Sequence, residues 1–264
     1  MLEICGINKT FNPGTVNENH ALKDLSLHLA EGESIAVIGG NGAGKSTLLN
    51  AVAGVWSVDS GSIHLGGVDI TYLPEYKRAK YIGRVFQDPM MGTAANMQIE
   101  ENLALAARRG GRRTLKTGIT KAEREEFREL LKILGLGLED RLTDKVGLLS
   151  GGQRQALTLL MATLQKPKLL LLDEHTAALD PKTAAKVMEV TRTLVNQDRL
   201  TTLMITHNMR DAIEYGDRLL MMYGGRIVVD VSGEEKKKLT VEQLLNMFSQ
   251  ASGSDEVDDK LVLG

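Results

Sequence analysis

The stretch that decides the fold runs from residue 39 to residue 47 and reads Gly39-Gly40-Asn41-Gly42-Ala43-Gly44-Lys45-Ser46-Thr47. It satisfies the phosphate-loop pattern GxxxxGK followed by Ser or Thr. Glycines let the backbone turn its N–H groups inward around a phosphate, because a Cβ would obstruct both the dihedral angles and the close approach. We predict ATP as the ligand, with Lys45 at the β- and γ-phosphates and the Ser46 hydroxyl on Mg²⁺. The predicted nucleotide-binding residues are Gly39, Asn41, Gly42, Ala43, Gly44, Lys45, Ser46 and Thr47.

The residues flanking this loop have the secondary structure that a nucleotide site requires. Residues Ser34 to Ile38 are apolar enough to form a central parallel strand that is buried on both faces. Residues Ser46 to Ala53 favour a helix, whose positive N-terminal end adds to the anion site. A strand that enters the glycines and a helix that leaves them distinguish a phosphate loop from an ordinary glycine turn.

Two adjacent acids end a second apolar strand, Leu169-Leu170-Leu171-Leu172-Asp173-Glu174. A strand buried on both faces does not end in carboxylates without a positive partner. Because consecutive strand residues point to opposite faces, the two acids are expected to have different roles. We predict that Asp173 holds Mg²⁺ through water and that Glu174 polarises the attacking water.

A second candidate anion site lies in Leu149-Ser150-Gly151-Gly152-Gln153, immediately before a helical pattern. A chain with one γ-phosphate cradle does not need a second cradle for the same nucleotide. The economical interpretation is that this helix start serves the ATP of another subunit. Its predicted nucleotide-binding residues are Ser150, Gly151, Gly152 and Gln153.

Together these motifs resemble the ATP-binding cassette family, specifically a single nucleotide-binding domain that works with separate membrane subunits. The resemblance covers residues 1 to 245, with the motifs in the family's order. It implies that Phe11 stacks on adenine, that Gln87 senses Mg²⁺ and the attacking water, and that Asp180 communicates with the opposite site. It also implies that His207 is the switch histidine that touches the γ-phosphate. Outside the family context, His207 is better interpreted as a surface histidine and Phe11 as a core residue.

The sequence departs from the family pattern directly after the predicted catalytic glutamate. Family members usually carry proline there, and this chain has His175. Proline has no chemical role at that position, so the departure affects the local backbone and the approach of Glu174. We expect His175 to be a hydrogen-bonded loop residue, since a titratable group near a cleft is weak support for a catalytic role.

Hydrophobic periodicity predicts an α/β fold with a parallel sheet. The family resemblance implies the finer architecture: a P-loop NTPase core with a mostly parallel sheet, an N-terminal antiparallel β-subdomain and an inserted helical subdomain. Strand, helix and strand in succession predict right-handed parallel connections. The predicted strands are Leu2 to Ile7, Leu25 to Leu29, Ser34 to Ile38, Lys168 to Leu172, Thr201 to Ile205 and Arg218 to Met222. The predicted helices, besides the one after the phosphate loop, are Ile99 to Ala107, Lys121 to Leu134, Gln153 to Gln165 and Pro181 to Asn196.

We predict one ATPase domain over residues 1–250, with the helical subdomain inserted at about 88–165, and a polar acidic tail over 251–264. A basic, glycine-broken link over 108–113 is expected to be a solvated loop, or else a contact with a partner or a lipid headgroup. The segment from Asp88 to Glu100 offers adaptable apolar contact to a partner, and a self-packed loop is an equally open alternative. Its apolar residues are Pro89, Met90, Met91 and Met97.

The composition agrees with an ordinary globular protein, since 42% of the 264 residues are hydrophobic and 25% are charged. A net charge of −2 argues against broad nucleic-acid binding. The single cysteine, Cys5, cannot form an internal disulfide, which fits a reducing compartment, and it is expected to be a small buried apolar residue. We find no membrane-spanning run and no signal peptide. The expected location is therefore cytoplasmic, peripheral on the inner face of the cell membrane through a partner.

The family resemblance implies that two copies sandwich two ATP molecules head to tail and drive a pair of transmembrane permease subunits. It further implies an importer whose extracytoplasmic substrate-binding protein delivers a small solute. We expect that solute to be an amino acid, with an aromatic amino acid as one candidate. The alternative is a soluble cassette ATPase that acts as an assembly or scaffold factor of the iron–sulfur type. A second alternative, a cassette used in chromosome or ribosome work, needs a long coiled-coil insertion or a second cassette, for which 264 residues leave no room. No nucleic acid is expected as a partner.

Overall fold

Two β-sheets and nine helices make up the part of the chain that the structure, a computed structural model, describes: residues 1–111 and 118–252. The strands are β1 (Leu2–Phe11), β2 (Asn19–Leu29), β3 (Ser34–Ile38), β4 (Ser60–Leu65), β5 (Val68–Asp69), β6 (Ile82–Val85), β7 (Leu169–Asp173), β8 (Thr202–Ile205), β9 (Arg218–Tyr223) and β10 (Arg226–Ser232). The helices are α1 (Lys45–Ala53), α2 (Glu75–Arg78), α3 (Ile99–Ala107), α4 (Lys121–Lys132), α5 (Gly151–Thr163), α6 (Pro181–Asp198), α7 (Met209–Glu214), α8 (Gly233–Lys237) and α9 (Val241–Ser252).

The larger sheet has the strand order β10-β9-β3-β8-β7-β6. The five neighbouring strands β9, β3, β8, β7 and β6 are parallel to one another. Only the edge strand β10 is antiparallel to its neighbour, β9. The central strand β3 is buried on both faces: Ile35 and Val37 join one apolar cluster, and Ala36 and Ile38 join the other. This alternation explains the uninterrupted apolar run in the sequence. It also brings the carboxyl ends of β3, β7 and β8 to one edge.

The smaller sheet is antiparallel, with the order β2-β1-β4-β5. The side chain of Ile4 on β1 points into the core, and the next residue, Cys5, is exposed. The expectation that Cys5 is buried is therefore wrong, because strand alternation places it on the outer face.

The segment between β6 and β7 is helical, and its helices pack on one side of the large sheet. Helix α4 begins with a capping box, in which Thr120 accepts from the backbone N–H of Glu123 at 3.2 Å and Glu123 accepts from that of Thr120 at 2.8 Å. Its inner residues Phe127 and Leu131 belong to the same apolar cluster as Ala36 and Ile38. The predicted fold class is confirmed: a mostly parallel core, an antiparallel sheet and a helical insertion.

The basic link is only partly solvated in the region that the structure describes. Arg108 lies at the surface and donates to Glu123 at 2.9 Å. Arg109 is partly buried and donates to the carbonyl oxygen of Ala162 at 3.1 Å, and burial lowers its pKa. Arg109 therefore ties the end of α3 to α5 instead of facing solvent. Residues 112–117 lie outside the described residues. So does the predicted acidic tail over 251–264, except for Ala251 and Ser252, which belong to helix α9.

Candidate functional site

The phosphate loop connects β3 to α1, and its glycines are required by the backbone around them. Gly39 has φ +151°, and a Cβ there would meet the carbonyl oxygen of Met222 at 2.3 Å. Gly44 has φ +101°, and its Cβ would meet the carbonyl oxygen of Ala21 at 2.5 Å. Gly42 also has a positive φ, +76°, yet its Cβ would meet nothing within 4 Å among the described residues. The loop is thus packed closely on one side and open on the other, as a cradle for a ligand requires.

Lys45 begins α1 and is 8% exposed. Its ammonium donates to two carbonyl oxygens of the loop, those of Gly39 at 2.7 Å and Gly40 at 3.1 Å. The N-cap of α1 is Gly44, and within the described residues no side chain caps this helix start. Its first N–H groups are therefore available to an anion, and the helix dipole favours one there. Ser46 follows on the exposed side of the same turn.

Asp173, at the end of β7, lies in a mixed environment. Burial raises the pKa of its carboxyl, and the Arg84 guanidinium, whose Nη2 is 3.3 Å from Oδ2, acts in the opposite direction. The same Arg84 nitrogen donates to Asn50 Oδ1 at 2.8 Å. Arg84 is a site residue that sequence analysis missed, and its signal was a cation within an apolar run that ends at Val85. The partly buried Asp173 carboxylate is a group to which a further cation would be attracted.

Glu174 is held in an uncommon backbone conformation, with φ +43°. Its N–H donates to the carbonyl oxygen of Ile205 on β8 at 3.0 Å, and its Oε2 lies 3.7 Å from Nδ1 of His207. The His207 imidazole lowers the pKa of Glu174, and the Lys45 ammonium lowers it further. Reciprocally, Glu174 raises the pKa of His207. The structure thus brings together three residues that lie far apart in the sequence, and it keeps the Glu174 carboxyl ionised at neutral pH.

The second glycine-containing helix start forms a capping box at the beginning of α5. Ser150 Oγ accepts from the N–H of Gln153 at 3.3 Å, and Gln153 Oε1 accepts from the N–H of Ser150 at 3.2 Å. By helix geometry, the N–H groups of Gly151 and Gly152 have no partner within the helix. Ser150 and Gly151 are exposed. The arrangement presents an uncharged helix N-terminus at the surface, the kind of helix end at which anions commonly bind.

The start of α5 packs against the start of α6. A Cβ on Gly152 would lie 2.0 Å from Cγ2 of Thr183, and a Cβ on Gly151 would lie 3.4 Å from Leu179. Asp180 is the N-cap of α6 and accepts from the N–H of Thr183 at 3.1 Å. Hydrogen bonds from the side chain and then from the backbone of Thr183 lower the pKa of Asp180. The predicted residues Ser150 to Gln153 and Asp180 are therefore brought together on one surface.

Gln87 is exposed and lines a cleft of about 680 Å³ beside Asp173. The lining residues are Asn50, Val55, Glu75, Arg84, Phe86, Gln87, Asp88, Pro89, Met91, Asp173 and Ala178. Phe11 lies elsewhere: its half-buried ring makes an edge-to-face contact with Trp56, with 5.5 Å between centroids. Stacking of Phe11 on adenine stays a prediction.

His175 is a buried, hydrogen-bonded residue, 2% exposed. Its Nε2 lies 3.0 Å from the hydroxyl of Thr191 on α6, and burial lowers its pKa to about 4. It is therefore neutral at physiological pH. This agrees with the expected hydrogen-bonded role, although His175 is deeper in the protein than a loop residue usually is.

The residues present fit Mg²⁺ held jointly with a nucleotide. In the described part of the chain, no group of three or more His, Cys, Asp or Glu side chains forms a cage for a metal. Mg²⁺ in phosphoryl-transfer sites usually takes one or two protein oxygens, with phosphates and water completing the octahedron. The exposed hydroxyl of Ser46 and the partly buried carboxylate of Asp173 are oxygen donors of that kind.

Fold and site define a P-loop ATPase of the cassette type. The chain belongs to the ABC transporter family, whose model matches residues 22–177. It is 46% identical over 251 residues to the tyrosine transport ATP-binding protein of Clostridioides difficile, covering 95% of this chain and 100% of that protein. It is 36% identical over 233 residues to a methionine import ATP-binding protein of Vibrio vulnificus, covering 86% of this chain and 64% of that protein.

Solved structures agree with this assignment. A dimeric ATP-binding cassette in a post-hydrolysis state, bound to ADP and phosphate, superposes with a TM-score of 0.74 at 27% identity. The alignment covers 88% of this chain and 98% of that one. Within the described ranges, the helices lack the combined length and apolar character needed to span a membrane.

Proposed function

We propose that this chain is the Mg²⁺-dependent ATPase subunit of a transporter that imports a small solute through separate transmembrane subunits. The observation that carries the proposal is the convergence of Lys45, Glu174 and His207 at one edge of the parallel sheet. A phosphate loop alone supports nucleotide binding. A loop lysine beside an ionised carboxylate and its histidine partner supports hydrolysis as well.

In the proposed reaction, the phosphate loop binds the β- and γ-phosphates through its N–H groups and Lys45. Glu174 orients a water and takes up its proton as the water oxygen bonds to the γ-phosphorus, while the bond to the bridging oxygen breaks and ADP leaves. His207 donates toward the γ-phosphate. Ser46 and Asp173 would hold Mg²⁺, with Gln87 beside them, and the ion when bound would neutralise charge that develops on the phosphates.

A second copy of the chain completes the site in this proposal. The unpartnered N–H groups at the start of α5 suit the γ-phosphate of ATP bound to another copy. Asp180 lies next to them and would face the same interface. The dimeric state of the similar solved cassette supports a head-to-tail sandwich with two shared sites.

The transported solute is proposed to be an amino acid, tyrosine or a related aromatic one. This rests on the 46% identity to a tyrosine transport ATP-binding protein over that protein's full length. Permease subunits and an extracytoplasmic substrate-binding protein would complete the system, with the chain peripheral on the cytoplasmic face. The names of the similar proteins support transport over the scaffold-factor alternative.

Two measurements test this function. Glu174→Gln should lower kcat for ATP by about 10²- to 10⁴-fold while ATP affinity is retained, because the amide keeps the shape but cannot accept a proton. The chain should also co-purify with a multi-span permease and support ATP-driven tyrosine uptake into vesicles. Wild-type turnover in Glu174→Gln would remove Glu174 from its role. A chain that hydrolyses ATP but is found with no permease would favour the scaffold alternative.

A further inference from the structure

The side chain that follows Glu174 is anchored to a different element. His175 is 2% exposed, and its Nε2 lies 3.0 Å from Oγ of Thr191. Thr191 is fully buried in the middle of α6, 16 residues further along the chain. The contact therefore ties the turn after β7 to the helix that packs behind it.

The direction of this hydrogen bond follows from the donors available. A threonine hydroxyl has one proton, and Thr191 donates it to the carbonyl oxygen of Val187 at 2.8 Å. Its oxygen can then only accept from His175, so Nε2 of the imidazole carries a proton. The contact is thus a directed hydrogen bond between two buried side chains.

Glu174 needs such support because its backbone is in the left-handed region, with φ +43°. A non-glycine residue stays there only where its surroundings determine it from several sides. Its N–H is bound to Ile205 at 3.0 Å, and its carbonyl oxygen accepts from the N–H of Ala177 at 3.0 Å. The His175 side chain adds a third restraint, and this one reaches outside the sheet.

We propose that His175 is a positioning residue for the hydrolytic step: its hydrogen bond to Thr191 fixes the backbone that aims the Glu174 carboxylate. The proposal rests on the proposed role of Glu174 in orienting water. It also gives α6 a mechanical link to the carboxylate. The first turn of α6 contacts the start of α5, where Thr183 fills the space beside Gly152.

The test compares variants that remove the hydrogen bond with variants that keep it. His175→Ala and Thr191→Val should lower kcat for ATP by about 10- to 100-fold with little change in KM, the size expected from a displacement of about 1 Å. His175→Gln and Thr191→Ser retain a donor and an acceptor, and should restore most of kcat. The double variant His175→Ala with Thr191→Val should be no slower than either single variant, because both remove one interaction.

A matched control separates positioning from loss of structure. Thr163→Val removes a buried hydroxyl of the same kind, which donates to Leu159 and Leu160 within α5. Each variant is assayed well below its Tm and normalised to the fraction that binds ATP. The positioning role is overturned if the kcat of Thr191→Val falls only as far as the fraction of folded protein falls. It is also overturned if that kcat falls no further than the kcat of Thr163→Val. Wild-type turnover in Glu174→Gln would instead overturn the proposed function, on which the positioning role of His175 rests.

Discussion

Single residues decide what the carboxyl edge of the sheet can do. Asp173 and Glu174 are adjacent in sequence, yet the pKa of Asp173 is raised and that of Glu174 is lowered. The difference arises from burial around Asp173 and from the imidazole of His207 beside Glu174. Two neighbouring acids with opposite shifts suit two tasks, one as an oxygen donor to a cation and one as an ionised base.

The buried imidazole of His175 predicts a pH dependence of stability. Its pKa is about 4 in the folded chain, against about 6.5 in an unfolded one. As the pH falls, His175 therefore takes up a proton in the unfolded state before it does so in the folded state. The contribution of His175 to the free energy of unfolding is fully present above pH 6.5 and is lost as the pH falls toward 4. Lowering the pH from 7 to 5 should therefore reduce the free energy of unfolding by about 2 kcal/mol through this residue alone.

The measurement is urea unfolding at both pH values, with His175→Gln as the matched variant. Glutamine keeps a donor toward Thr191 but does not titrate, so the variant should lose about 2 kcal/mol less than the wild type over the same interval. An equal pH dependence in both proteins would mean that His175 is not buried in its neutral form.

At the scale of elements, the helices that the sequence predicts best are those with an amphipathic pattern and a capping residue. The predicted bounds of α3 are those observed, and α6 extends only two residues beyond its predicted end. Strands β4, β5, β6 and β10 were missed. Strands β4 and β6 are defined by pairing with partners distant in the chain, as in Ile82 of β6 against Leu169 of β7, whereas β5 and β10 form tight hairpins with β4 and β9. Local periodicity carries no information about such pairing.

The junction of α5 and α6 gives a prediction about packing. Gly152→Ala would place a methyl group 2.0 Å from Cγ2 of Thr183. We expect a loss of about 1–3 kcal/mol in the free energy of unfolding, together with reduced ATPase activity. Thr183→Ser removes that methyl group and keeps the hydroxyl, so the double variant should recover stability. If Gly152→Ala is as stable as the wild type, the two helices are not in the close contact described.

The shared-site arrangement predicts complementation between two inactive chains. Lys45→Ala damages the phosphate loop, and Ser150→Arg blocks the start of α5. In a mixed dimer both lesions fall on one of the two sites, which leaves the other site intact. Mixing the two proteins should therefore restore part of the ATPase activity that each lacks. Mixed dimers that form and remain inactive at every ratio would contradict a shared site.

On the scale of the whole molecule, the site is a product of sheet topology. Strands β3, β7 and β8 are parallel neighbours, so the residues that follow them meet at one edge, although they span positions 39 to 207. The sequence predicted Lys45, Glu174 and His207 through motifs. It did not predict the Arg84 contact with Asp173 or the tie from His175 to Thr191, because both depend on which helix and strand lie alongside. The boundaries of the domain at residue 250 and of the helical insertion stay predictions.

We expect hydrolysis and a membrane partner to be coupled at the cleft beside Gln87. Gln87 and Asp173 line it together with other polar and charged residues, and the apolar side chains of Phe86, Pro89 and Met91 are also part of the lining. Met91 is 69% exposed, which suits it to receive an apolar segment of a permease. Met90 is already in contact with Arg154, and Met97 is half-buried, so neither offers as clean a test.

We expect Met91→Asp to lower ATP-driven solute uptake by about tenfold or more, because a carboxylate in an apolar interface loses its hydration without gaining a partner. The ATPase activity of the isolated chain should stay near the wild-type value, since Met91 faces the open cleft. Val68→Asp, which adds the same charge to an exposed residue on β5, is the control and should leave uptake unchanged. Uptake that persists in Met91→Asp would place the docking surface elsewhere. A collapse of the free ATPase would show that Met91 supports the catalytic core itself.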